Sequence, residues 1–97
     1  MRKYEAMFII HPGLKEERRE KEIEGLKKFL KKKNAEVIKA ESLGKKRFSY
    51  PIKKHEEGEY VLFEFQSAPT VIEEMKEHIK HRRSILRTMF IVTEKEK

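Results

Sequence analysis

Seven residues near the start of the chain, Tyr4-Glu5-Ala6-Met7-Phe8-Ile9-Ile10, are apolar at every position but one. Alternate residues of a strand point to opposite faces, so Tyr4, Ala6, Phe8 and Ile10 share one face and Met7 and Ile9 the other. A strand apolar on both sides belongs in the middle of a sheet, between other strands. The breaker pair Pro12-Gly13 ends it. Whatever else the chain does, it has to build a sheet around this segment.

The pattern then changes period. Over residues 14–33, Ile23, Leu26 and Leu30 recur at helical spacing with Phe29 beside them. Glu16 and Glu17 fall in the first turn and Lys31, Lys32 and Lys33 in the last, which complements the helix dipole. Glu17–Lys21 and Glu24–Lys28 are i,i+4 pairs in the better orientation, and Asn34 suits a left-handed stop. Residues 36–52 are extended, with a bend expected at Ser42-Leu43-Gly44 and with Phe48, Tyr50 and Ile52 on one face. Pro51 confines this strand to a sheet edge. A polar connection over residues 53–59 leads to a third strand, residues 60–65. Ala68-Pro69 breaks it, and Thr70 with Glu73 forms a capping box before a helix carrying Ile72, Met75 and Ile79. The last strand, residues 86–92, sets Thr88, Phe90 and Val92 against Arg87, Met89 and Ile91.

The order β-α-β-β-α-β predicts an α+β, ferredoxin-like split βαβ fold: a four-stranded antiparallel sheet with both helices on one face. Right-handed crossovers place strands one and three in the centre and two and four at the edges. Ninety-seven residues make one such domain, spanning 1–97, and leave no room for a second core.

Charge narrows the function. Lys and Arg total 24 against 17 acidic residues, a net +7, and such an excess draws a chain toward polyphosphate backbones. The acidic residues are all Glu, and Lys/Glu enrichment with few amides matches thermophile composition. Cysteine is absent, which excludes disulfides and thiolate metal sites and suits a reducing compartment. The first apolar run falls far short of the ~20 residues of a spanning helix, so a soluble, cytoplasmic protein with no membrane partner is expected.

The cations cluster. One group is Lys45, Lys46, Arg47, Lys53 and Lys54 with His55, flanking Phe48 and Tyr50; the other is Lys76, Lys80, Arg82, Arg83 and Arg87 with His78 and His81. Arg2 and Lys3 open the neighbouring strand. Basic side chains neutralise phosphates and a tyrosine among them can stack on an unpaired base, which makes Arg2, Lys45, Lys46, Arg47, Tyr50, Lys53, Lys54, Arg82, Arg83 and Arg87 the candidate RNA-binding residues. The plain alternative is solvated surface, since 42% of the chain is charged. Against it, the glutamates concentrate elsewhere, over residues 16–24 and 56–59. The sheet face away from the helices should carry Met7, Ile9, Tyr60, Leu62, Met89 and Ile91, an apolar patch that suits a protein partner.

No catalytic constellation emerges. His78 and His81 have i,i+3 spacing but no cysteine or His-Glu-x-x-His motif supports a metal. The serines lack a base, the adjacent glutamates lack a pocket, and the four glycines are isolated. No cofactor, metal, small-molecule substrate or enzymatic activity is expected.

The start Met1-Arg2-Lys3-Tyr4-Glu5, the block Leu43-Gly44-Lys45-Lys46-Arg47-Phe48-Ser49-Tyr50-Pro51-Ile52-Lys53-Lys54, Gly58-Glu59-Tyr60 and the strand after Ile85-Leu86-Arg87 resemble the bacterial small-subunit ribosomal protein six family over essentially the whole chain. The resemblance implies the same split βαβ fold. It also implies a structural role in the small ribosomal subunit, binding the central domain of small-subunit ribosomal RNA as a heterodimer with small-subunit ribosomal protein eighteen. Lys46 stands where the family pattern has arginine, and loses bidentate phosphate geometry. Two other readings share the fold. An RNA-recognition-motif protein binding single-stranded RNA outside the ribosome would have a similar third strand, but Glu56-Glu57-Gly58-Glu59 lacks the basic lead-in and the aromatic spacing. An acylphosphatase-like enzyme needs a phosphate loop with an arginine where this chain has His11-Pro12-Gly13.

Overall fold

The computed structural model describes residues 2–94. The elements run β1 (Arg2–Ile10), α1 (Glu16–Lys32), β2 (Glu36–Ile52), β3 (His55–Ser67), α2 (Thr70–Lys80) and β4 (Ile85–Glu94). They form one antiparallel sheet in the order β2-β3-β1-β4, the split βαβ topology that the sequence predicts. β1, apolar on both sides, is central, and the Pro51-bearing β2 is an edge.

One face of the sheet meets both helices. Tyr4, Ala6, Phe8 and Ile10 of β1 and Val61, Phe63 and Phe65 of β3 pack with Leu26 and Leu30 of α1 and Val71, Met75 and Ile79 of α2. Phe8 sits edge-on to Phe63 (ring centroids 5.4 Å, 83°) and to Phe90 (6.4 Å, 87°), the arrangement that sets a ring's positive edge against a negative face. Val71 goes deeper than Ile72, which is only partly buried, so the apolar stripe of α2 is rotated one residue from the expected one.

Local chemistry accounts for the ends. α1 begins without a side-chain cap but with Glu16 and Glu17 in its first turn, and ends where Asn34 turns left-handed (φ 60°) and the Ala35 N–H donates to the Leu30 carbonyl at 2.9 Å. Glu24 pairs with Lys27 at 3.2 Å and not with Lys28. Thr70 is not a cap: α2 starts from Pro69 with no side-chain hydrogen bond, and the Ala68 and Pro69 carbonyls accept from Val71 and Ile72 in tight turn bonds instead. At Gly44 (φ 87°) the β2–β3 register slips, which is the bend expected around Ser42-Leu43-Gly44.

The largest departure from expectation is the β2–β3 connection. Residues 55–59 are strand, and the loop shrinks to the two residues Lys53 and Lys54 between the register pair Ile52 and His55. The polar stretch pairs with the basic one: Glu57 faces Arg47, Gly58 faces Lys46 and Glu59 faces Lys45. Glu59 turns inward, where its carboxylate accepts from the Ser42 hydroxyl at 3.1 Å and lies 3.8 Å from the Arg19 guanidinium.

Candidate nucleic-acid interface

The β2–β3 hairpin closes through two consecutive lysines with positive φ, Lys53 at 48° and Lys54 at 69°. That is type I′ geometry, for which Asn-Gly is the favoured pair. A left-handed conformation costs a non-glycine residue about 1–2 kcal/mol. Two strained lysines at an exposed tip place cationic charge where backbone energetics favour small or amide residues.

This tip lies beyond the Ile10 end of β1, and the first residues of β4 come to the same end of the sheet. The His11 N–H donates to the Ser84 carbonyl at 2.7 Å, and the His11 ring meets the His55 ring edge-on at 4.4 Å. Strand register then sets Gly44, Tyr60, Ile9 and Arg87 in one row across the open face. A shallow cleft of about 190 Å³ is lined by Arg47, Phe48, Ser49, Tyr50, Ile52, Tyr60 and Arg87. In it Tyr50 is 68% exposed. The two basic clusters, roughly thirty residues apart in sequence, therefore meet at Arg87 beside a free tyrosine ring; cations for phosphate and an aromatic face for a base are the elements of single-strand RNA binding. Lys45, Lys46, Lys53, Lys54 and Arg83 are exposed close to this end, and Arg47 is held by Glu56 at 3.4 Å in a solvent-exposed pair. Such pairs are worth little, so Arg47 can exchange Glu56 for a phosphate.

Two candidates stand apart from this group. Arg2 is at the opposite end of β1, paired in register with Ser67. Arg82 belongs to the helix side: its guanidinium lies over Gly25 and donates to Glu22 of α1 at 2.6 Å, both side chains being largely covered. It clamps α1 to the end of α2 and is a structural residue. Sequence spacing cannot reveal a partner sixty positions away. His78 is structural too, stacked on Phe29 at 4.3 Å, with its Nε2 buried and without a hydrogen-bond partner. Burial, and then the charge of Arg82, push its imidazole below the usual histidine range. Among the described residues no cluster of three potential metal ligands exists.

The open face differs from the expected apolar patch. Ile9 lies on it but is only 2% exposed. A Cβ built on Gly58 would fall 2.6 Å from Ile9 Cγ2 and 2.9 Å from the Phe48 ring, so the glycine lets the Phe48 ring close down on Ile9. Tyr60 stands next to that ring, at 6.2 Å. Ile9 is thus a second small core and cannot touch a partner. Met7, Leu62, Met89 and Ile91 remain as the accessible strip, with Met7 between Leu62 and Met89 in register. The next row holds two carboxylates that alternation places there: Glu5 faces Glu64, flanked by Lys39 and Ile91. Lys39 bonds Glu41 at 3.0 Å, and that bond together with the charges of Glu41, Glu64 and Glu5 raises its pKa above the ordinary lysine value. The open face therefore grades from basic at the hairpin end, through an apolar strip, to an acidic row.

A sequence profile described as Ribosomal protein S6 matches residues 3–92. The chain belongs to the ribosomal protein S6 family. It is 39% identical over 95 residues to small ribosomal subunit protein bS6 of Thermosynechococcus vestitus, covering 98% of this chain and 83% of that one. The protein of the same name from Desulforamulus reducens is 40% identical over 91 residues, covering 94% and 96%. The crystal structure of 30S ribosomal protein S6 from Thermotoga maritima superposes with a TM-score of 0.89 at 33% identity, over 94% of this chain and 86% of that one. S6 proteins are structural, non-enzymatic constituents of the small subunit of the bacterial ribosome, a cytoplasmic particle, which accords with the expected lack of catalytic machinery. Among the described residues of this S6 protein, no helix is long and apolar enough to cross a membrane.

Proposed function

We propose that this S6-family chain acts as one RNA-binding domain over residues 1–97, binding the central domain of small-subunit ribosomal RNA together with small-subunit ribosomal protein eighteen. The observation that carries the reading is the convergence of Arg47 of the hairpin and Arg87 of β4 on the exposed Tyr50 ring. Phosphates would be neutralised by Lys45, Lys46, Arg47, Lys53, Lys54, Arg83 and Arg87, while Tyr50 offers a face to an unpaired base.

The protein partner belongs on the strip of Met7, Leu62, Met89 and Ile91, with Tyr60 at its margin. The Glu5–Glu64 row beside it favours a basic partner and repels RNA. That same row counts against the RNA-recognition-motif alternative, in which bases stack across the middle of the open face.

The test is binding of small-subunit ribosomal RNA against salt concentration. Arg87→Ala should weaken binding and lower the slope of log affinity on log salt by about 0.7–0.9, whereas Tyr50→Ala should weaken it at unchanged slope. Unaltered affinity in both variants would sink the interface. Leu62→Glu should abolish pairing with protein eighteen in analytical ultracentrifugation while circular dichroism stays native.

A further inference from the structure

A second cleft, of about 350 Å³, opens along the outer edge of β4 on the helix side of the sheet. Its rim carries four cations from three elements: Lys53 of the hairpin tip, Lys76 and Lys80 of α2, and Arg87 of β4. Its floor is apolar, with Ile79, Ile85 and Phe90 among the lining residues. Among the described residues no carboxylate lies within ion-pair distance of Lys53, Lys80 or Arg87. Lys76 has only a 3.5 Å solvent-exposed contact with Glu73 and otherwise stands over the Phe90 ring. The last turn of α2 adds partial negative charge near this end, but half a charge does not offset four converging cations.

We propose that this cleft holds the phosphodiester backbone of an RNA strand, one nucleotide deep. The inference rests on the RNA-binding reading above and extends it to Lys76 and Lys80. The volume is at the small end of ligand sites, roughly 300–1,000 Å³, which suits one nucleotide and not a helix or a protein side of an interface. Phosphate would sit at the rim and the sugar against the apolar floor. Arg87 lines both this cleft and the one around Tyr50, so a single strand can stack a base on the open face and then turn over the β4 edge. The strained conformation of Lys53 has a use in this geometry, because it aims a cation from the hairpin tip at a cleft built mainly by α2 and β4.

The probe is a complex of this chain and small-subunit ribosomal protein eighteen with deproteinised small-subunit ribosomal RNA, treated with a lysine-acylating reagent and read by mass spectrometry against the same pair without RNA. Lys53, Lys76 and Lys80 should all be protected in the complex. The double variant Lys76→Gln with Lys80→Gln, at two exposed positions, should fold normally and lose about 1.4–1.8 of salt slope, two phosphate contacts' worth. Protection of Lys45 and Lys46 with Lys76 and Lys80 fully reactive, and an unchanged slope, would overturn the cleft while leaving the RNA reading standing. A wild-type pair in which RNA protects no lysine at all would overturn both. Lys76 and Lys80 already protected in the pair of proteins before RNA is added would mean that a protein covers the cleft, and would also overturn it.

Discussion

Ala6, Phe8 and Ile10 point to one side of β1, and Glu5, Met7 and Ile9 to the other; adjacent positions on one strand meet very different surroundings. The first set is sealed under two helices, with the buried Glu59 carboxylate, tied to Ser42 and Arg19, beside Ile10. The second is covered only at one end, where Phe48 folds over Ile9, and elsewhere presents a methionine and a carboxylate. The comparison teaches that close packing is confined to one sheet face in this chain while the other stays largely open. The helix-covered face holds the fold together. The open face keeps only as much core as the hairpin needs to stay in place.

The division is most exposed to failure on the helix side. Leu30→Ala should destabilise by about 2–5 kcal/mol in denaturant unfolding, through lost transfer energy and a cavity, while Lys28→Ala on the solvent side should barely register. Ile9→Ala probes the open face by the same chemistry and should cost less, about 2 kcal/mol, because the Phe48 ring sits on a hairpin that can settle into the gap. An equal or larger cost at Ile9 would erase the distinction between the faces. Arg82→Ala follows at about 1–2 kcal/mol, from a half-buried charge-assisted hydrogen bond, with no change in the salt slope of RNA binding. Arg83→Ala should do the reverse, sparing stability and lowering the slope. Lys53→Asn combined with Lys54→Gly sharpens the contrast further: relief of left-handed strain should stabilise by about 1 kcal/mol, while RNA binding weakens.

The smallest effect is a pH dependence on the helix side. Because the folded pKa of His78 lies below its ordinary value, the unfolded chain takes up the proton first as pH falls. The stability associated with His78 is therefore complete above about pH 6.5, the unperturbed value, and declines as pH drops through and below it. Thermal unfolding of the wild type between pH 7.5 and 5.5 should steepen relative to His78→Gln; parallel curves would mean the ring accommodates its charge.

The order of elements was legible because the apolar period changes cleanly, from two in Tyr4–Ile10 to helical in Ile23, Leu26 and Leu30. The bend at Gly44 was legible from the Ser42-Leu43-Gly44 break in the strand pattern. The hairpin turn was not legible, since Lys53-Lys54 carries none of the small or amide residues that mark type I′ turns, and His55 to Glu59 looks like loop on polarity alone. Ile9 was misread because its cover, Phe48, comes from a strand two places away and depends on a glycine to approach. The Arg82–Glu22 clamp was not legible because charge clusters in sequence do not say which members find a carboxylate across the fold. Glu5 and Glu64 were legible by alternation and were overlooked beside the apolar residues between them.

The central position of β1 also has a consequence for the order in which the molecule can be made. Ile10 pairs in register with Glu59 on one side and with Ile85 on the other, roughly fifty and seventy-five residues further along, separations that make strand pairing slow. The β2–β3 hairpin, closed by two residues, and α1 can form as soon as they leave the ribosome that synthesises them. β1 cannot be completed until β4 has been made. Until then Met7 and Phe8 lie along a bare strand edge, so β1 leaves the ribosome before its sheet neighbours and is sheltered after them.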